Sequence, residues 1–124
     1  MSRKGIRWGI ARKGENTIIG TCGYRFWGKP LFCAEIGYEL KKAYWRQGIM
    51  GDALKATIKF GFEISQLNRI EATVMLENTP SMNLLGKLGF IEEGILREYG
   101  FCKEQFHDLK IFSLLKKDYD AVLW

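Results

Sequence analysis

Along Ile70 to Leu76 the side chains alternate. Ile70, Ala72, Val74 and Leu76 lie on one side, with Glu71, Thr73 and Met75 between them. A period of two predicts a strand with one buried face. Just upstream the period changes. Met50, Ala53, Leu54, Thr57, Ile58, Gly61 and Ile64 recur at helical spacing, while Asp52, Lys55, Lys59, Glu63 and Gln66 fill the opposite side. This predicts an amphipathic helix, ended by Asn68-Arg69. A second helix is punctuated at both ends. Thr79 suits the N-cap, Pro80 suits the first helical position, and Gly89 suits the left-handed position past the end. Leu84, Leu85 and Leu88 form its apolar face.

The first third of the chain reads as strands. Ile6 to Ala11 is one, and a turn centred on Gly14-Glu15-Asn16 leads to a second, about Thr17 to Trp27, rich in β-branched and aromatic residues. Gly28-Lys29-Pro30 breaks that strand, and Leu31 to Leu40 reads as a third. After the second helix, Phe90 to about Arg97 and Gln105 to Lys116 read as two more. The order β-β-β-α-β-α-β-β predicts an α/β (α+β) domain: an antiparallel meander continued into a mixed sheet with helices packed on it.

Composition narrows the function classes. The chain has 124 residues, 47% of them hydrophobic and 14% aromatic, which fits one domain (1–124) with a sizeable core. No apolar run reaches the length of a membrane span. The basic start, Met1 to Gly5, is not followed by an apolar segment of about 7–15 residues, which argues against a secretion signal. Cys22, Cys33 and Cys102 lie far apart, no CxxC pair occurs, and His107 is the single histidine, so neither a metal site nor a disulfide framework is expected. Reduced thiols in a cytoplasmic protein are the expectation. The net charge of +5 favours anionic partners, but the basic residues occur only as short pairs, such as Arg3-Lys4 and Lys41-Lys42. That scatter argues against a nucleic-acid groove and leaves a nucleotide-like cofactor open.

The stretch Tyr44 to Ile64 raises the first chemical question, because a loop holding Gly48 and Gly51 runs straight into a helix. Backbone N–H groups converging at a helix N-terminus make an anion cradle, and a glycine there lets the backbone come close to the anion. Ordinary turn glycines would give the same pattern.

Four segments change the balance: EIGYEL (Glu35–Leu40), YWRQGIMGDAL (Tyr44–Leu54), ENTPSMNLLGKLGF (Glu77–Phe90) and FHDLKIFSLLKKDY (Phe106–Tyr119). With these segments in this order, the chain resembles the GNAT (Gcn5-related N-acetyltransferase) superfamily, and within it the Rim-type ribosomal-protein N-terminal acetyltransferases. The resemblance spans about Trp8 to Tyr119. The family's loop pattern, Gln/Arg-x-x-Gly-x-Gly/Ala, falls on Trp45-Arg46-Gln47-Gly48-Ile49-Met50. Gly48 matches, while Trp45 and Met50 depart from it.

The resemblance implies that backbone amides of Arg46, Gln47, Gly48, Ile49, Met50 and Gly51 bind the pyrophosphate of acetyl-CoA. It also implies that the strand ending Gly37-Tyr38-Glu39-Leu40 splays from the parallel strand at Ile70–Leu76, with the pantetheine arm pairing to backbone of Tyr38, Glu39 and Leu40. Asn78 would lie beside that arm and Ser81 near the sulfur, although both residue types also suit a helix start. The amine attacks directly in this family, so no enzyme nucleophile is needed. The chemistry requires deprotonation of the amine, a donor for the oxyanion and a proton for the departing thiolate. Glu35 is the first candidate for the base, and Glu98 is the second. His107-Asp108 matches a recurring family pair and reads as structural. Tyr24, Phe26 and Trp27 read as core and sheet surface, with a substrate wall as the alternative.

Relatives carry a first strand and helices ahead of the segment matching Arg7–Ala11. Without them one wall of the acceptor site and an edge of the sheet are uncovered, which makes homo-oligomerisation a reasonable expectation. The expected function is transfer of an acetyl group from acetyl-CoA to a primary amine, either a protein N-terminus or a small amine such as a polyamine. A non-catalytic acyl-CoA-binding or regulatory module is the alternative, and a small nucleic-acid-binding domain is the third reading.

Overall fold

The computed structural model describes residues 4–28 and 31–121. It contains six strands and three α-helices: β1 (Lys4–Ile10), β2 (Gly20–Gly28), β3 (Cys33–Leu40), α1 (Ile49–Lys59), β4 (Arg69–Met75), α2 (Thr79–Lys87), β5 (Ile91–Cys102), β6 (Gln105–Leu115) and α3 (Lys116–Ala121). The predicted order is present, with a short C-terminal α3 added. Lys29 and Pro30 of the predicted break lie outside the described residues, as do Met1 to Arg3 and the side chains of Phe26 and Trp27. Contacts divide the chain into two compact units, Met1–Ile70 and Glu71–Trp124.

In the first unit β1, β2 and β3 form an antiparallel meander. One of its faces meets α1 through two polar contacts at Thr57, whose hydroxyl also bonds back within the helix. The Tyr24 hydroxyl donates to the Thr57 carbonyl at 2.6 Å. The Thr57 hydroxyl donates to the Ala53 carbonyl at 2.8 Å, so the thiol of Cys22, 3.2 Å from Thr57 Oγ1, is the donor in that contact. Trp8 adds edge-to-face contacts with Tyr24 and Phe60, at centroid distances of 6.5 and 5.0 Å. Burial pushes the Tyr24 phenol well above its ordinary pKa, helped by the neighbouring Cys22, so the ring stays neutral and serves as a donor.

The helix keeps its predicted apolar face only as far as Gly61. Met50, Leu54, Thr57 and Ile58 are buried as expected, but Ile64 is 69% exposed and Phe62 is buried in its place. The cause is a turn of π-helix over Phe60–Ile64, closed by the Ser65 N–H to the Phe60 carbonyl at 3.0 Å. One extra residue per turn rotates everything after it off the 3.6-residue register. Gly61 sits where this turn passes Tyr24: a Cβ there would come within 2.5 Å of the phenol oxygen. The helical segment therefore ends at Ile64, before the predicted Asn68-Arg69, and Gln66 takes a left-handed conformation (φ 60°). Leu54, Ile58 and Phe62 each contribute about 1.5–3 kcal/mol by burial, which is enough to hold the helix to the sheet.

β4 has the predicted alternation, with Ile70, Ala72 and Val74 buried; Leu76 lies beyond the strand and is 40% exposed. In the second unit, α2 carries a correction at its start. Its N-cap is Asn78, not Thr79, and Thr79 is the first helical residue. Its end is as predicted. Gly89 is left-handed, its N–H meets the Gly86 carbonyl at 3.1 Å, and the Phe90 N–H meets the Leu85 carbonyl at 3.0 Å, forming a Schellman motif. Leu85 and Leu88 are buried.

β5 and β6 form one long antiparallel hairpin, so β5 runs to Cys102 rather than ending near Arg97. The sequence lacks the usual signal for the turn. Lys103 and Glu104 both take left-handed conformations (φ 52° and 62°), a geometry normally marked by Asn or Gly. An edge-to-face pair, Phe101–Phe106, flanks the tip.

Candidate functional site

The loop ahead of α1 is shaped by two left-handed residues, Arg46 (φ 63°) and Gly48 (φ 77°). A residue bearing a Cβ pays a steric cost in that region, which Arg46 bears and Gly48 avoids. The space where its Cβ would stand has no neighbouring atom within 4 Å. Gly48 is the N-cap of α1, and no side chain caps the helix. The Asp52 N–H closes the first turn onto the Gly48 carbonyl at 3.1 Å. Ile49, Met50 and Gly51, three of the residues expected to hold phosphate, thus form the open first turn of an 11-residue helix, whose dipole favours an anion at this end.

The side chains before Gly48 turn back toward their own chain. Gln47 Nε2 donates to the Ala43 carbonyl at 3.2 Å. Trp45, which replaces the family's Gln/Arg, donates from its indole Nε1 to the Leu40 carbonyl at 2.7 Å while its ring stays 52% exposed. The departure at Trp45 therefore serves to tie the loop to the end of β3. Tyr38, Glu39 and Leu40 occupy that end, in register with Cys22, Thr21 and Gly20 of β2.

Glu35 lies on the same strand, in register with Arg25 of β2. Its carboxylate accepts a hydrogen bond from Arg25 Nε and is 9% exposed, whereas the Arg25 side chain is 60% exposed. Sequence reading did not single out Arg25. Its signal is the strand register, which sets an opposite charge directly across from the carboxylate, an arrangement that stabilises a sheet pair.

The residues proposed from the second unit are placed as follows. Asn78 Oδ1 accepts the Ser81 N–H at 3.2 Å, so the capping role weighed against the functional one is occupied. Glu98 is exposed and left-handed (φ 49°), at an irregularity inside β5 rather than in a loop. Its N–H donates to Asp108 Oδ1 at 2.7 Å. The His107 ring nitrogen Nε2 lies 3.0 Å from the Cys102 carbonyl. The His107-Asp108 pair thus braces the hairpin, in keeping with its structural reading. Among the described residues, Cys22, Cys33 and Cys102 form no disulfide. Among the described residues no group of acidic, histidine and cysteine side chains could hold a metal, and no helix is long and apolar enough to cross a membrane.

Comparison with known proteins bears on the whole arrangement. The family model described as Acetyltransferase (GNAT) domain matches residues 1–91. The uncharacterized N-acetyltransferase p20 of Bacillus licheniformis is 43% identical over 91% of this chain and 64% of its own length. The [ribosomal protein uS5]-alanine N-acetyltransferase of Escherichia coli is 29% identical over 90% of this chain and 58% of its own. Among solved structures, Mycobacterium smegmatis RimJ in complex with CoA-disulfide superposes with a TM-score of 0.87, at 31% identity, over 92% of this chain and 54% of that one. The resemblance read from the four segments, including its Rim-type branch, is borne out, and so is the mixed α/β fold with its mostly antiparallel strands. The chain spans less than two thirds of the length of the curated relatives it matches.

Proposed function

Because this chain belongs to the GNAT acetyltransferase domain family, we propose that it is an acetyl-CoA-dependent N-acetyltransferase acting on a primary amine. The observation that carries this reading is the start of α1, a helix N-terminus without a side-chain cap, behind a left-handed Gly48. Amides of the Arg46–Gly51 segment bind the pyrophosphate of acetyl-CoA, where neutral donors and the helix dipole both favour negative charge. The backbone at Tyr38 to Leu40, at the end of β3, receives the pantetheine arm.

In the reaction the acceptor ammonium first loses a proton to a carboxylate. The free amine attacks the thioester carbonyl, the tetrahedral intermediate collapses with cleavage of the C–S bond, and the second proton shed by the former amine nitrogen is the one taken up by the departing CoA thiolate. Glu35 is the better candidate for the base. It is a carboxylate already withdrawn from bulk water, whereas Glu98 is exposed and sits at an irregularity of β5. Asn78 and Ser81 join the proposal on family resemblance, Ser81 as a group near the sulfur. The name of the Escherichia coli relative makes protein N-terminal amines the first acceptors to test. Polyamines come second.

Calorimetric titration with acetyl-CoA, with an adenine nucleotide as control, tests the cofactor site. Saturable binding that needs the pantetheine arm is expected, and its absence would overturn the reading. Turnover on an amine panel then separates the enzyme from a module that binds acyl-CoA without reacting.

A further inference from the structure

Glu35 cannot act as drawn unless its carboxylate is aimed, and a glutamate side chain on a strand has three rotatable bonds. The meander supplies the aim. Cys22 and Tyr24 of β2 point to the Thr57 region of α1, so Arg25, one residue on, points to the other face of the sheet. Glu35 is directly opposite Arg25 and shares that face. The register slips immediately beyond this pair: the next matched residues are Gly28 and Cys33, leaving an extra residue on β2 between the two pairings. Such bulges bend a strand and re-aim the side chains beside them. The two partners differ sharply in environment, with Glu35 9% exposed and Arg25 60% exposed. A guanidinium reaching in from solvent thus meets a carboxylate that is almost enclosed. The bond uses Nε, an inner nitrogen of the fork, which fixes the carboxylate more tightly than a terminal contact from a flexible lysine would.

We propose that Arg25 is the positioning residue for Glu35, holding the buried carboxylate in the orientation from which it takes the proton of the acceptor amine. This rests on the reading of Glu35 as the base. Arg25 itself touches neither cofactor nor acceptor in this scheme, so its loss acts on kcat and not on acetyl-CoA affinity.

The test compares Arg25→Met, Arg25→Lys, Glu35→Gln and the double variant Arg25→Met/Glu35→Gln of the full chain. The measurements are kcat and the KM for acetyl-CoA on an N-terminal peptide amine and on spermidine, with a thermal melt of each variant. Glu35→Gln is expected to lower kcat by about 100-fold, as loss of a general base does. Arg25→Met is expected to lower kcat by about 10- to 100-fold with KM for acetyl-CoA unchanged, Arg25→Lys to recover part of that loss, and Arg25→Met to cost nothing further once Glu35 is gone. A purely structural ion pair would instead lower the melting temperature and leave kcat of the folded protein intact, which overturns the proposal. If Glu35→Gln turns over normally, the base assignment falls and this proposal falls with it. If Glu35→Gln is impaired and Arg25→Met is not, only this proposal falls.

Discussion

Two of the described helices, α1 after an eight-residue connection from β3 and α2 after a three-residue connection from β4, solve the same problem at their N-termini in opposite ways. At α2 the first-turn amides are answered from within: Asn78 Oδ1 accepts the Ser81 N–H. At α1 no side chain answers them, and two left-handed residues, Arg46 and Gly48, shape the approach. Unanswered donors at a helix start are a cost in a protein that binds nothing there and an asset in one that binds an anion. The stability that α1 lacks at its N-terminus is supplied further along, by Leu54, Ile58 and Phe62 in the core and by the Cys22 and Tyr24 contacts at Thr57. A capped helix start reads as architecture, and an open one with its anchors displaced downstream reads as a site.

The sharpest way to break this comparison is Gly48→Val. A β-branched residue at φ 77° is strained by about 1–3 kcal/mol, and relief of that strain moves the amides proposed to meet the pyrophosphate. Affinity for acetyl-CoA measured by calorimetry is expected to fall by about 10- to 100-fold, with Gly48→Ala falling less. Unchanged affinity in the valine variant would mean that α1 begins without a ligand.

Next comes the anchor that stands in for a cap. Tyr24→Phe leaves the Thr57 carbonyl without its phenol donor and is expected to cost about 1–3 kcal/mol in denaturant unfolding. It also has a pH signature. The folded-state pKa of Tyr24 is raised above its unfolded value of about 10, so the neutral phenol contributes stability fully below that pH and loses it as pH rises above it. Melts between pH 8 and 11 should therefore show the wild type losing more stability than Tyr24→Phe at the alkaline end. Parallel curves would remove Tyr24 as the anchor.

The smallest expected effect belongs to the capped helix. Asn78→Ala should lower stability by about 1 kcal/mol, and Asn78→Asp or Asn78→Ser should restore most of it, because each supplies an acceptor oxygen. Failure of both to restore it would show that the amide group has a further duty.

Much of this was legible in residue order. The alternation at Ile70, Ala72 and Val74, the Pro80 start and Gly89 end of α2, and the first amphipathic turns of α1 all follow from local periodicity and backbone preference. The family was legible too, since it rests on four segments in a fixed order. Other features escaped. Glu98 falls just past the predicted strand end at about Arg97, yet it lies inside β5, because Lys103 and Glu104 make a tight turn without the residues that normally mark one. Asn78 and Thr79 are both good caps, and only the chain direction at that corner picks Asn78.

What the sequence determined by itself is therefore the six strands and first two α-helices, their order and the family, because those depend on interactions a few residues apart and on a pattern repeated among relatives. Tertiary structure alone decided three things. It set the phase slip that buries Phe62 and exposes Ile64, since the π turn is accommodated against Tyr24, far away in the chain. It set the loop conformation ahead of α1 in which the Trp45 indole meets the Leu40 carbonyl, a bond that a family pattern does not contain. It also placed Arg25 on Glu35, because pairing across a sheet is set by strand register, which a bulge can shift by a residue and local sequence does not reveal.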